Sequence, residues 1–194
     1  MTETTGRTPD KSVYKCLGIS KDILRITENF DQAADRLFEP LRQNEALNRL
    51  FYAASGLADH SVIWFLLAAL KATRSKEQAR LAKRAAIALA IESVVVNLGV
   101  KSLFRRQRPE FPGDRPLPLR QPLTSSFPSG HSSAAVCAYL FLSEDDPLAP
   151  LYFLLAAIIA PSRIHVKIHH ASDVIGGLLV GWLLSKAIKA IYPK

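Results

Sequence analysis

Cysteine is scarce in this chain, with two in 194 residues. Cys16 and Cys137 lie far apart and form no CxxC, which argues against a disulfide framework and against a cysteine-built zinc site. Carboxylates are not clustered as metal ligands either, so no metal and no other cofactor is expected. The first 20 residues are polar and contain no apolar h-region, so a cleavable signal peptide is not recognised. Internal repeats and low-complexity tracts are also missing. The formal charge of +8 could point to nucleic acid, but no RRM, KH or zinc-finger signature accompanies it. Anionic lipid head groups and phosphate substrates account for that basicity as well, and no nucleic-acid partner is expected.

Apolar residues are plentiful, and they are clumped. Hydrophobic residues make up 48% of the chain and charged residues 22%, with a mean hydropathy of +0.10. Leu57–Ala72, Ala85–Phe104, Ser129–Leu142, Leu148–Pro161 and Val174–Ala190 carry few charges, and the charges lie between them. Ala85–Phe104 and Val174–Ala190 approach the ~20 residues that a bilayer crossing needs, while the other three are shorter. The pattern predicts an all-α integral membrane bundle of about five apolar helices over residues 57–194. A soluble all-α protein with very apolar helices is the competing reading.

Residues 21–55 read as amphipathic helices, with Leu37, Phe38, Leu41, Leu47, Leu50 and Phe51 recurring at helical spacing. Pro40 is expected to break or kink this region. A polar tail, residues 1–20, precedes a single helical domain, residues 21–194. If each apolar segment crosses once, the loops at 105–127 and 162–172 fall on one side. The chemistry-bearing residues sit in and beside those two loops.

Three short motifs carry that chemistry. Lys101, Arg105 and Arg108 share a face if the helix continues, because seven residues are two turns, and Pro109 closes it. Such a ladder can hold phosphate, or it can snorkel toward lipid head groups. Pro128-Ser129-Gly130-His131 opens a helix in which serine caps, glycine allows close approach and free amides favour an anion. An ordinary capped helix start with a surface histidine fits the same four residues. Arg163 can grip phosphate oxygens through its fork of donors. His169 and Asp173 are one turn apart, so the carboxylate can fix the ring tautomer, or simply favour the helix dipole. His165 and His170 lie beside them, and spacing alone does not choose the nucleophile.

The pattern K-x6-RP, PSGH and SR-x5-H-x3-D resembles the type 2 phosphatidic acid phosphatase (PAP2) superfamily. It is carried here by Lys101 to Pro109, Pro128 to His131 and Ser162-Arg163 to His169 and Asp173. The resemblance implies a membrane lipid phosphatase in which His169 attacks phosphorus, Asp173 orients it and His131 protonates the leaving alkoxide. It assigns Lys101, Arg108, Ser129, Gly130 and Arg163 to the phosphate oxygens, with no metal. The implied substrate is a lipid phosphate or diphosphate of the phosphatidic acid or polyprenyl-phosphate type, met at a bacterial cell membrane. Lys167 departs from the family by replacing a small residue, and is read as a substrate contact or a water-facing side chain. Glu92, inside an apolar helix, is expected to hydrogen-bond between helices, and Gly177 and Gly181 to mark close packing.

Overall fold

The computed structural model describes residues 20–111 and 113–194, so most of the polar tail, with Cys16, lies outside it. The described residues form helices and no strands. In order these are α1 (Lys21–Gln43), α2 (Glu45–Leu57), α3 (Val62–Ala72), α4 (Lys76–Val94), α5 (Gly130–Leu142), α6 (Ala149–His165) and α7 (Ala171–Ile191). Side-chain caps begin several of them. Ser20 accepts from the Ile23 amide at 3.3 Å, Asn44 from Leu47 at 3.0 Å and Ser75 from Gln78 at 3.1 Å. Pro40 does not break α1. It lies in the helix's last turn, and the chain leaves the helix only at Asn44.

α4 runs on through a π-turn (Val95–Gly99) and a 3-10 turn (Val100–Leu103) before Phe104 turns extended. The expected cation ladder is therefore not helical throughout. Lys101 sits on the last tight turn, whereas Arg105 and Arg108 lie on extended chain. Between α2 and α3 the chain bends by 60°. His60 (φ 54°) and Ser61 (φ 59°) take left-handed conformations there, which non-glycine residues adopt only where surrounding structure enforces them.

Lys76–Leu103 and Ala171–Ile191 are long and apolar enough to cross a membrane, and the bent α2–α3 pair makes a third candidate. Outward stripes on two of these segments are exposed, namely Ile87, Ile91, Val94 and Leu98, and Ile175, Leu179, Trp182 and Leu183. Their three- and four-residue spacing places each stripe on one helix face, as lipid contact requires. Trp64, by contrast, is fully buried as core filling.

α5 is the central helix, packed on α4, α6 and α7. Its approach to α7 is set by glycine, because a Cβ on Gly177 would collide with the Ser129 carbonyl and one on Gly181 with the Ser133 carbonyl. Ser133 in turn donates to Glu92, which ties α5 to α4. At one end of the bundle the acidic turn 143–147 meets Lys71, Arg74, Arg84 and Lys189. These contacts hold the Glu144 and Asp146 carboxyls below the usual carboxylate range despite the opposing effect of burial.

A bulky residue at Gly181 must push α5 and α7 apart. Gly181→Val is expected to lower stability by about 1–3 kcal/mol, read as a fall in Tm of the detergent-solubilised protein. Gly56→Ala, where nothing lies within 4 Å of the added methyl, should leave Tm unchanged or raise it. Equal falls for the two variants would contradict the packing argument.

Candidate active site

The three motifs meet at the opposite end of the bundle. Ser129 caps α5 by accepting from the Ser132 amide at 3.4 Å, and its own amide donates to the Asp173 carbonyl at 2.9 Å. Gly130 brings the α5 start close to Lys101, where a Cβ would stand 3.4 Å from the lysine Nζ. The turn from α6 into α7 is tightened by the Ile168 and His169 amides, which both donate to the Arg163 carbonyl at 3.1 Å. Arg163, His169 and Asp173 are thereby carried on one short, rigid hairpin, and all three are buried.

Arg108 joins this hairpin to the extended loop. Its guanidinium donates to the backbone carbonyls of Thr124 at 3.0 Å, Ser125 at 3.1 Å and Ile168 at 3.0 Å. Its Nη1 stands 3.2 Å from His169 Nε2. The other ring nitrogen faces Asp173, but at 3.7 Å the contact is longer than a hydrogen bond. The expectation that Asp173 fixes the ring holds in direction only, because that carboxylate is already heavily engaged. It accepts from Arg106 at 2.6 Å, from the Ser126 hydroxyl at 2.6 Å and from the His170 amide at 2.8 Å.

Burial and the nearby cations Arg163 and Arg108, opposed by Asp173, push the His169 imidazolium down to about 3. The ring is therefore neutral at pH 7, with a lone pair to offer. Arg163 is the complementary element. It is 1% exposed, its Nη1 donates to the Ser55 hydroxyl, and its Nε and Nη2 have no partner among the described residues. Buried guanidinium donors without a carboxylate partner favour an anion strongly. Among the described residues, no group of three or more His, Cys, Asp or Glu side chains converges as a metal site would require.

Several residues at this site were not singled out from the sequence. Arg106, within the unspecified stretch between Lys101 and Arg108, bridges Asp173 and Asp31 of α1. Asp31 also accepts from the Ser172 amide and hydroxyl, both at 2.8 Å. Asp59 places Oδ1 3.0 Å from His131 Nε2. Lys167 pairs its ammonium with Asp35 of α1 at 3.2 Å and lines the same cleft as Arg108 and His169. A cleft of about 730 Å³, walled by α1, opens onto Arg106, Arg108 and His169. A second depression of about 630 Å³ runs along Lys101, Arg105 and Arg108.

Residues 81–194 match the PAP2 superfamily. Phosphatidylglycerophosphatase B of Bacillus subtilis is 32% identical over 52% of this chain and 53% of its own length. The chain thus spans about half of that relative. Decaprenylphosphoryl-5-phosphoribose phosphatase of Mycobacterium tuberculosis is 29% identical over 71% of this chain and 76% of its own. The fold is similar to the crystal structure of a transmembrane PAP2 type phosphatidylglycerolphosphate phosphatase from Bacillus subtilis. The TM-score is 0.64 at 21% identity, over 93% of this chain and 94% of that one.

The depressed His169 titration has a measurable sign. An unfolded ring takes its proton near 6.5 and the native ring only near 3. Between those values the unfolded state binds more protons, so native stability falls as pH drops through that window. Nitrogen NMR of labelled histidine should show the His169 ring still neutral at pH 5. An imidazolium signal from His169 at that pH would contradict the burial argument.

Proposed function

The chain belongs to the PAP2 superfamily, and on that premise we propose that it is an integral membrane phosphatase. It removes a phosphoryl group from a lipid phosphate or diphosphate through a phosphohistidine on His169. The observation that carries this reading is a buried neutral imidazole whose Nε2 lies 3.2 Å from Arg108, on the same hairpin as Arg163 with its two unpartnered donors.

With Nδ1 turned toward Asp173, Nε2 is the nitrogen left to attack phosphorus. Charge in phosphoryl transfer spreads over the equatorial oxygens, and fixed cations stabilise it without reorganising. Arg108 and Arg163 are held rigidly for this task, and Lys101 and the α5 start, with Ser129 and Gly130, close the anion site. As the N–P bond forms, the P–O bond to the lipid alkoxide breaks and His131 gives that oxygen its proton. Water then attacks the phosphohistidine, passes its proton to His131 and releases phosphate, while the N–P electron pair returns to the ring. His131 acts as acid in one half and base in the other.

The lipid tail of such a substrate stays in the bilayer beside the exposed apolar stripes while its head group reaches the cationic end. The relatives named above support lipids of the phosphatidylglycerophosphate, phosphatidic acid and polyprenyl-phosphate kind. Their bacterial sources support a bacterial cell membrane as the location. Residues 21–194 act as one helical domain in this scheme, since α1 and α2 both contribute groups to the site.

Purified protein in detergent–lipid micelles should release phosphate from at least one of phosphatidic acid, phosphatidylglycerophosphate and undecaprenyl diphosphate. His169→Ala is expected to lower kcat by about 10³-fold or more. Acid quenching should trap labelled phosphate on the wild-type chain and not on His169→Ala. Release that survives the substitution unchanged would mark the chain as a non-catalytic scaffold contaminated by another enzyme.

A further inference from the structure

Asp59 lies outside the stretch that matches the family, yet its carboxylate is the acidic group in contact with His131. Three observations bear on that contact. First, the Asp59 Oδ1 to His131 Nε2 distance is 3.0 Å, and both side chains are largely shielded, at 24% and 15% exposure. Secondly, Asp59 stands on the bend between α2 and α3, immediately before the two left-handed residues His60 and Ser61. A straight helix would carry this carboxylate elsewhere, so the break is what turns it toward the first turn of α5. The break is held from outside by Arg120, whose guanidinium meets the His60 ring at 2.9 Å. Thirdly, the other charged groups facing His131 are cations, Arg163 of α6 and Lys101 at the end of α4. Burial and these cations oppose a charged ring, and Asp59 is the neighbour that favours the proton a general acid must hold.

We propose that Asp59 is a positioning residue for His131, so that the acid–base histidine works as an aspartate–histidine dyad. This deepens the phosphatase reading above and rests on it. At 3.0 Å the contact is not aligned as a hydrogen bond, and a small turn of the ring lets the carboxylate accept the Nε2–H of His131, which fixes the ring plane and leaves Nδ1 as the nitrogen that serves the leaving oxygen. As the P–O bond breaks, the proton on Nδ1 moves to the alkoxide, the ring becomes neutral, and Asp59 keeps its Nε2–H. In the second half Nδ1 takes a proton from the attacking water, and Asp59 stabilises the imidazolium that results. Asp59 itself gains and loses no proton.

The dyad predicts a dependence on the leaving group that general damage would not produce. An alkoxide needs a proton to depart, whereas p-nitrophenolate does not. First-turnover release of the alcohol, diacylglycerol or p-nitrophenol, is therefore compared by rapid quench for dioleoyl phosphatidic acid in mixed micelles and for p-nitrophenyl phosphate, with wild type, Asp59→Asn and Asp59→Glu. Expected for Asp59→Asn is a loss of about 10²-fold in this step on the lipid and a much smaller loss on the aryl ester. Asp59→Glu should recover part of the lipid activity. Equal losses on the two substrates, or no loss on either, would overturn the dyad while leaving the His169 chemistry intact. Wild-type protein that cleaves neither of these, nor phosphatidylglycerophosphate or undecaprenyl diphosphate, would instead overturn the phosphatase reading and the dyad with it.

Discussion

The interaction on which this arrangement depends is the buried carboxylate of Asp173. It is 0% exposed and is held by Arg106, the Ser126 hydroxyl and the His170 amide. A carboxylate this deep is tolerable only with such partners, because desolvation alone would neutralise it. The partners come from the two ends of the loop at 105–127 and from the α7 start, so satisfying the charge also ties these together. Arg106 brings the extended loop, and through Asp31 it brings α1. His170 closes the α7 start, and that start fixes His169 against Arg163 and Arg108. Removing the carboxylate would therefore release a loop, a helix terminus and a histidine together.

Charge is treated differently at the two ends of the bundle. Around the turn 143–147 every buried ion meets an opposite one, with Lys71 and Arg74 on Asp146 and Arg84 and Lys189 on Glu144. That end is closed and purely structural. At the other end Arg163 keeps two donors without partners and Lys101 is buried with no ion-pair contact among the described residues. Positive charge there exceeds what nearby carboxylates compensate. An anion completes the balance, which is why the second end is the one able to bind phosphate.

Much of this was legible in the chain, and the failures share a cause. The two longest apolar runs became the two segments able to span a membrane, and Gly177 and Gly181 became the close α5–α7 contact. Both rest on local periodicity, which the sequence writes directly. The motif spacing likewise anticipated that Lys101, Arg108, His131, Arg163 and His169 would lie near one another. The helical ladder from Lys101 to Arg108 failed because the helix tightens after Gly99 and ends at Leu103. Asp31, Ser55, Asp59 and Arg106 were invisible for another reason. Their partners lie 67 to 141 residues away, and no local pattern specifies a contact across that span. The bend that aims Asp59 uses histidine and serine at left-handed positions, where glycine would have been the readable signal.

The two histidines show how one cationic pocket can hold a nucleophile and an acid at the same pH. Identical rings take different roles when their surroundings push their proton affinities apart. His169 has a cation at 3.2 Å and its carboxylate only at 3.7 Å, and that carboxylate is already shared with three other donors. The three donors on Asp173 weaken its pull on the ring, and the Arg108 donor that meets Nε2 passes to the phosphate oxygens when that lone pair attacks. His131 has the reverse, a carboxylate at 3.0 Å and cations further out. Burial lowers both rings, His169 to about 3 and His131 to about 4, so the difference between them rests on the crowded carboxylate beside one and the less encumbered carboxylate beside the other. On this argument the divided attention of Asp173 is part of the mechanism, since a carboxylate devoted wholly to His169 would favour the protonated ring that cannot attack.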